Sequence, residues 1–182
     1  MSREYIITMT AENRVGVLAA VTNAMGELGA ELVEASQTVV ADYFTMIFAA
    51  EFPDNRERQV VFDHLRDVCR PFGIEVTVSD RNESPAEANS SAVVRRLRLT
   101  GKNVPGILRK IAVHMSTSGI DILGMHAFRE GADRFGTVMK LAIPESTDPK
   151  AFCVDLRELG SEWELDAVLE EYSAGSAFTD EH

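Results

Sequence analysis

Asn13-Arg14-Val15-Gly16-Val17-Leu18 returns ninety positions later as Asn103-Val104-Pro105-Gly106-Ile107-Leu108. The same shift pairs Thr10 with Thr100, Met25 with Met115 and Gly29 with Gly119. It also sets Val21 against Ile111, Glu31 against Asp121 and Leu32 against Ile122. One offset serves all these pairs without a gap, which marks an internal duplication. A duplication of this length decides the fold before any single element is assigned.

Working outward, each copy of the segment follows a β-rich run, Tyr5 to Ala11 in the first. Apolar residues at helical spacing come next: Leu18, Val21, Met25 and Leu28, then Leu108, Ile111 and Met115 in the second copy. Gly29 and Gly119 stand where a left-handed residue ends a helix. A second strand is predicted over Leu32 to Val40 and a third over Tyr43 to Phe52, with Asp42 at the tight turn between them. Phe44, Met46, Phe48 and Phe52 alternate onto one face, which is expected to be the core face. The matching hairpin runs from Ile122 to Phe128 and from Phe135 to Ile143, around the slightly longer turn Glu130-Gly131-Ala132-Asp133.

A second helix follows, capped by Asp54 or Asn55, with Val61, Leu65 and Val68 inward. In the second copy Asp148 precedes Pro149, a firm start signal because proline loses nothing at the first helical position. Its inner stripe is Phe152, Leu156 and Leu159. Ile74 to Val78 and Trp163 to Leu169 close the two copies as strands. The order is β-α-β-β-α-β, twice. Right-handed crossovers then predict an α+β protein with two ferredoxin-like units, each an antiparallel sheet with two helices on one face. The expected domains are 1–79 and 93–172. Between them, 80–92 has linker composition, and 173–182 is a small, polar tail.

A chain of 182 residues holds two such small domains comfortably. The net charge of −11 opposes direct nucleic-acid binding, which needs a basic surface to displace counterions from phosphates. Arg95, Arg96 and Arg98 form the densest basic cluster, read as a solvated strand edge beside the acidic linker. Cys69 and Cys153 lie far apart among apolar neighbours and act as small hydrophobes; no metal or cofactor is expected. Met-Ser-Arg-Glu enters a strand rather than a signal-peptide core, and no apolar run approaches the roughly 20 residues of a membrane span. A cytoplasmic protein is expected.

Ferredoxin-like folds carry many functions, so function must come from a site. In the repeated loop, glycine permits a sharp turn. The unpaired amides of the following helix favour a carboxylate. Asn13 and Asn103 offer a donor and an acceptor beside them. Glu31 and Asp121 begin the second strands, where an acid can take an ammonium. Together these groups describe a free amino acid. A purely structural reading stays open beside it: the asparagines cap their loops, and the glycines serve close packing.

The two loops, each before a helix ending in glycine and a strand starting with an acid, resemble the ACT domain family over nearly the whole chain outside linker and tail. Two copies with no catalytic domain attached most resemble the glycine-cleavage-system transcriptional repressor family. The resemblance implies a non-enzymatic regulator that binds an amino acid or similar small effector where neighbouring domains pair. It also implies a regulated protein partner and a homodimer, with sheets packing edge to edge within the chain or across the dimer. Carried over by position, the ligand contacts are Asn13, Val15, Gly16, Val17, Leu18 and Glu31. Their counterparts are Asn103, Pro105, Gly106, Ile107, Leu108 and Asp121. Val15 departs from the family pattern, in which proline is common at that place.

Three rival readings are weaker. Acyl-phosphate hydrolysis would use Arg14, but its counterpart in the other loop is Val104. His64, His114 and His126 have no partner at ligand spacing. Arg134-Phe135-Gly136-Thr137-Val138 faintly echoes an RNA-binding strand, yet Tyr43-Phe44-Thr45-Met46 lacks its arginine and glycine. A structural dimerisation module with no ligand is the remaining alternative.

Overall fold

Alternation along β1 (Ser2–Glu12) sends Tyr5, Ile7, Met9 and Ala11 to one face, and all four are buried. The computed structural model describes residues 2–81 and 92–173. Each of the two compact units carries one copy of the repeat. After β1, the first unit continues with α1 (Val17–Glu27), β2 (Glu31–Val40), β3 (Tyr43–Pro53), α2 (Arg58–Cys69) and β4 (Glu75–Asp80). The second holds β5 (Ala92–Lys102), α3 (Ile107–Thr117), β6 (Asp121–Glu130), β7 (Arg134–Pro144), α4 (Pro149–Leu159) and β8 (Asp166–Glu171). Strand order is β2-β3-β1-β4 in one sheet and β6-β7-β5-β8 in the other, all pairs antiparallel. This is the ferredoxin-like α+β architecture expected from the repeat. The residues read as linker and tail lie mostly outside the described ones, between Arg81 and Ala92 and after Ser173.

In each unit one core joins the inner face of the sheet to both helices. Phe44, Met46, Phe48 and Phe52 are buried as their alternation predicts, against Val61 and Leu65 of α2. Gly29 (φ 70°) and Gly119 (φ 67°) occupy the left-handed positions that end α1 and α3. The Asp148 carboxylate accepts the Lys150 N–H at 2.9 Å, and Pro149 opens α4.

Several expectations need correction. Helix α1 starts directly after Gly16, so its inward stripe runs Val17, Val21, Ala24 and Met25, and Leu18 points outward at 46% exposure. In α3, Ile107 likewise faces the core and Leu108 does not. Leu159 is partly exposed, and Cys153 takes the inner position on α4. Neither Asp54 nor Asn55 caps α2. A turn closed by the Arg56 N–H on the Pro53 carbonyl delays the helix, and Glu57 becomes its N-cap without a side-chain bond. Trp163 belongs to a 3-10 turn (Ser161–Trp163), and the closing strand begins only at Asp166.

The hairpin tips differ between the copies. Ala41 and Asp42 both have positive φ, as a two-residue hairpin turn demands. The second tip, Gly131 to Asp133, is one residue longer. The offset between copies therefore becomes 91 beyond it, matching Phe44 to Phe135 and Phe72 to Trp163.

Candidate ligand-binding site

Each repeated loop is pinned to the hairpin tip of its own unit. The Asn13 N–H donates to the Asp42 carbonyl at 2.7 Å, and the Asn103 N–H to the Asp133 carbonyl at 2.6 Å. The chain then tightens: Val17 N–H donates to the Arg14 carbonyl, and Ile107 N–H to that of Val104. Gly16 (φ 97°) and Gly106 (φ 87°) take the left-handed conformation that lets the helix start at once. A Cβ built on Gly106 would meet nothing within 4 Å, so torsion and not close packing requires glycine there. At Gly16 the Phe72 ring would stand 3.4 Å away. Neither α1 nor α3 has a side-chain cap bond at its N-terminus. The amides next in line, of Leu18 and Ala19 and of Leu108 and Arg109, therefore suit an external acceptor.

In the second unit this loop forms one wall of a cleft of about 420 Å³, within the range of small-molecule sites. Asn103, Pro105, Gly106, Ile107 and Leu108 all line it, so the residues expected there come together. The opposite wall comes from the hairpin: Phe128 and Arg129 at the end of β6, and Phe135 at the start of β7. Arg129 and Phe135 are direct partners in the ladder. The Phe128 ring lies over Gly136, where a Cβ would come within 2.6 Å of two ring carbons. Nearby, Glu164 pairs with both Lys102 and Arg134. The hydrogen bond from Lys102, then the charges of Lys102 and Arg134, hold the Glu164 carboxyl below its usual range.

The first loop has the same burial pattern: Asn13 and Val15 are exposed, as Asn103 and Pro105 are, and Val17 turns into the core as Ile107 does. Arg14 pairs with Glu12 at 3.4 Å. The position matching Arg129 is Val39, so this copy lacks the guanidinium.

Glu31 and Asp121 do not join the loops of their own units. Glu31 lies opposite Glu51, which pairs with Glu4 near the start of β1, while Asn13 follows the end of that strand. Asp121 lies opposite Ala142, which pairs with Val94, while Asn103 follows Lys102. Some eight residues of strand, roughly 25 Å, separate acid from loop. The reason is directional: the intervening helix carries the chain back to the far end of the sheet.

Phe128, Arg129 and Phe135 were missed by the sequence reading. A signal existed, since a third strand antiparallel to the first must bring the hairpin tip back beside the loop. His64 bonds Glu27 at 2.9 Å, His114 stacks on Phe152, and His126 packs against Phe128 of the cleft wall with ring centroids 5.7 Å apart. Among the described residues no three His, Cys, Asp or Glu side chains are grouped to hold a metal.

Comparison with known proteins agrees with this architecture. Residues 5–70 match the ACT domain family. A UPF0237 protein of Methanosarcina acetivorans is 36% identical over 78 residues, spanning 42% of this chain and 85% of that protein. One from Streptococcus pneumoniae is 31% identical over 81 residues, spanning 44% and 88%. Each of these relatives thus has the length of about one repeat. An unknown protein from Galdieria sulphuraria superposes with TM-score 0.79 at 14% identity, covering 95% of this chain and all of that one. A candidate glycine cleavage system transcriptional repressor superposes with TM-score 0.67 at 10% identity, covering 94% and 99%. At these identities the two solved structures speak to the tandem fold.

Proposed function

We propose that this chain, which belongs with the UPF0237 proteins and matches the ACT domain family over residues 5–70, is a regulatory small-molecule-binding protein and not an enzyme. The effector is an amino acid or a close analogue with a carboxylate. The observation that carries this reading is the cleft: the loop singled out by the duplication is the loop that lines it. Asn103, the leading amides of α3 and Arg129 hold the carboxylate, and Pro105, Leu108 and Phe135 cover the apolar part. The second copy is the working one, because Val39 replaces Arg129 in the first.

Effector binding shifts the balance between two states of the protein only as far as it prefers one of them. With a net charge of −11, the regulated partner is a protein with a basic face, and salt weakens their contact. The protein acts in the cytoplasm as a homodimer, in control of amino-acid metabolism and with no direct hold on nucleic acid. No helix among the described residues is long and apolar enough to cross a membrane. The working domain limits are 1–79 and 93–172.

Calorimetry of the full chain against the twenty amino acids and matched small carboxylates tests the reading. Heat lost on Asn103→Ala but kept on Asn13→Ala supports the second copy. Undiminished binding in Asn103→Ala with Arg129→Val removes the cleft from the mechanism. Acyl-phosphate turnover dependent on Arg14 would overturn the non-enzymatic reading.

A dimerisation module without ligand draws on one observation. Strand β2 is exposed along its whole length at the sheet edge, with Leu32, Val33, Val39 and Val40 among its outward residues. That reading predicts self-association and no thermal shift with any metabolite.

A further inference from the structure

An α-amino acid has two charged ends one carbon apart, and a site built for it must answer both. The cleft of the second unit answers one. Its lining is apolar or neutral except for Arg129, and no carboxylate side chain contributes to it. Arg129 is exposed and forms no ion pair with a carboxylate among the described residues. The acid expected to receive an ammonium, Asp121, stands at the other end of β6, about 25 Å along the strand. Of the acids near this end, Glu164 is engaged by Lys102 and Arg134 and Asp166 by Arg157, while Glu130 and Asp133 at the hairpin tip are not among the lining residues.

We infer that the cleft selects a small carboxylate with an apolar tail and no amino group, such as a 2-oxo acid. This rests on the assignment of the cleft as the effector site and names the ligand class for it. The carboxylate meets the guanidinium of Arg129, a charge-assisted contact. The tail lies against Pro105, Leu108 and Phe135. An α-ammonium sits beside the carboxylate and hence beside Arg129, where like charges repel and no lining carboxylate offsets them, only the neutral Asn103 amide. The 2-oxo group removes that charge while keeping the skeleton.

The test compares two ligands of one skeleton, 4-methyl-2-oxopentanoate and L-leucine, by calorimetry and by amide NMR shifts of the full chain. The oxo acid is expected to bind at least about tenfold tighter than leucine. Its shifts should centre on Gly106 to Arg109 and on Arg129. Arg129→Val, which installs the residue of the first copy, should weaken it by about tenfold or more, and Arg129→Lys by less. Leucine binding as tightly at the same amides would overturn the inference and leave the cleft as the effector site. Shifts confined to other residues, or no binding by either ligand, would overturn the cleft assignment and the inference with it.

Discussion

Replacing Gly106 with alanine isolates the torsional requirement of the repeated loop. The residue has φ 87° and nothing within 4 Å of where a Cβ would stand, so the substitution adds no steric contact. An L-residue in the left-handed region costs about 1–2 kcal/mol. The smaller conformational freedom of alanine in the unfolded chain offsets about 0.4–1 kcal/mol of that. The net loss is about 1 kcal/mol. For a unit of this size, a urea dependence of about 1 kcal/mol/M turns that loss into a midpoint lower by about 1 M. Trp163 is the sole tryptophan, and it packs beside the core of the second unit under Lys110. Its fluorescence therefore reports on the core of that unit. Gly106→Asn should lose about half as much, because asparagine tolerates the left-handed region better. An unchanged midpoint in Gly106→Ala, or asparagine faring worse than alanine, would refute the torsional argument. A loss above about 3 kcal/mol would mean that a hidden contact, not the backbone, sets the requirement.

Three other expectations follow from separate parts of the structure. Gly136→Ala should destabilise the second unit by about 1–3 kcal/mol through the Phe128 ring; a double-mutant cycle with Phe128→Ala should recover most of it, and additive losses would sink the argument. Asp148→Ala should cost about 0.5–2 kcal/mol, against under about 0.5 kcal/mol for Glu57→Ala, because only Asp148 makes a cap bond; equal losses in urea melts would contradict the cap assignment. Glu164 has a depressed folded pKa, so its contribution to stability is full above the ordinary carboxylate value of 4.5 and is lost as pH falls through the folded value. Glu164→Gln should flatten the acid limb of the stability–pH curve in the second unit, and an unchanged limb would show that the pairing with Lys102 does not matter.

How far the sequence reaches can be judged element by element. Phe44, Met46, Phe48 and Phe52 declare their burial by a period of two, and Gly29 and Gly119 declare helix ends, because both are local properties of a few neighbouring residues. Helix phase was legible only to within one residue. Val17 and Leu18 are both apolar, and the point where Gly16 releases the chain into the helix selects Val17 for the core. The capping of α2 was misplaced for a similar reason: Asp54 and Asn55 have the right chemistry, but the turn on Pro53 moves the helix start beyond them.

The duplicated order of elements, the two sheets with their helices, and the loop carrying Asn103 and Gly106 were determined by the amino-acid sequence alone. Tertiary structure decided what stands opposite that loop. Strand order sends Asp121 to the far end of the sheet and brings Arg129 and Phe135 to the near one. Periodicity reports which way a side chain faces. Which distant segments meet depends on strand order and on where each helix returns the chain, and those are set by packing across the whole unit.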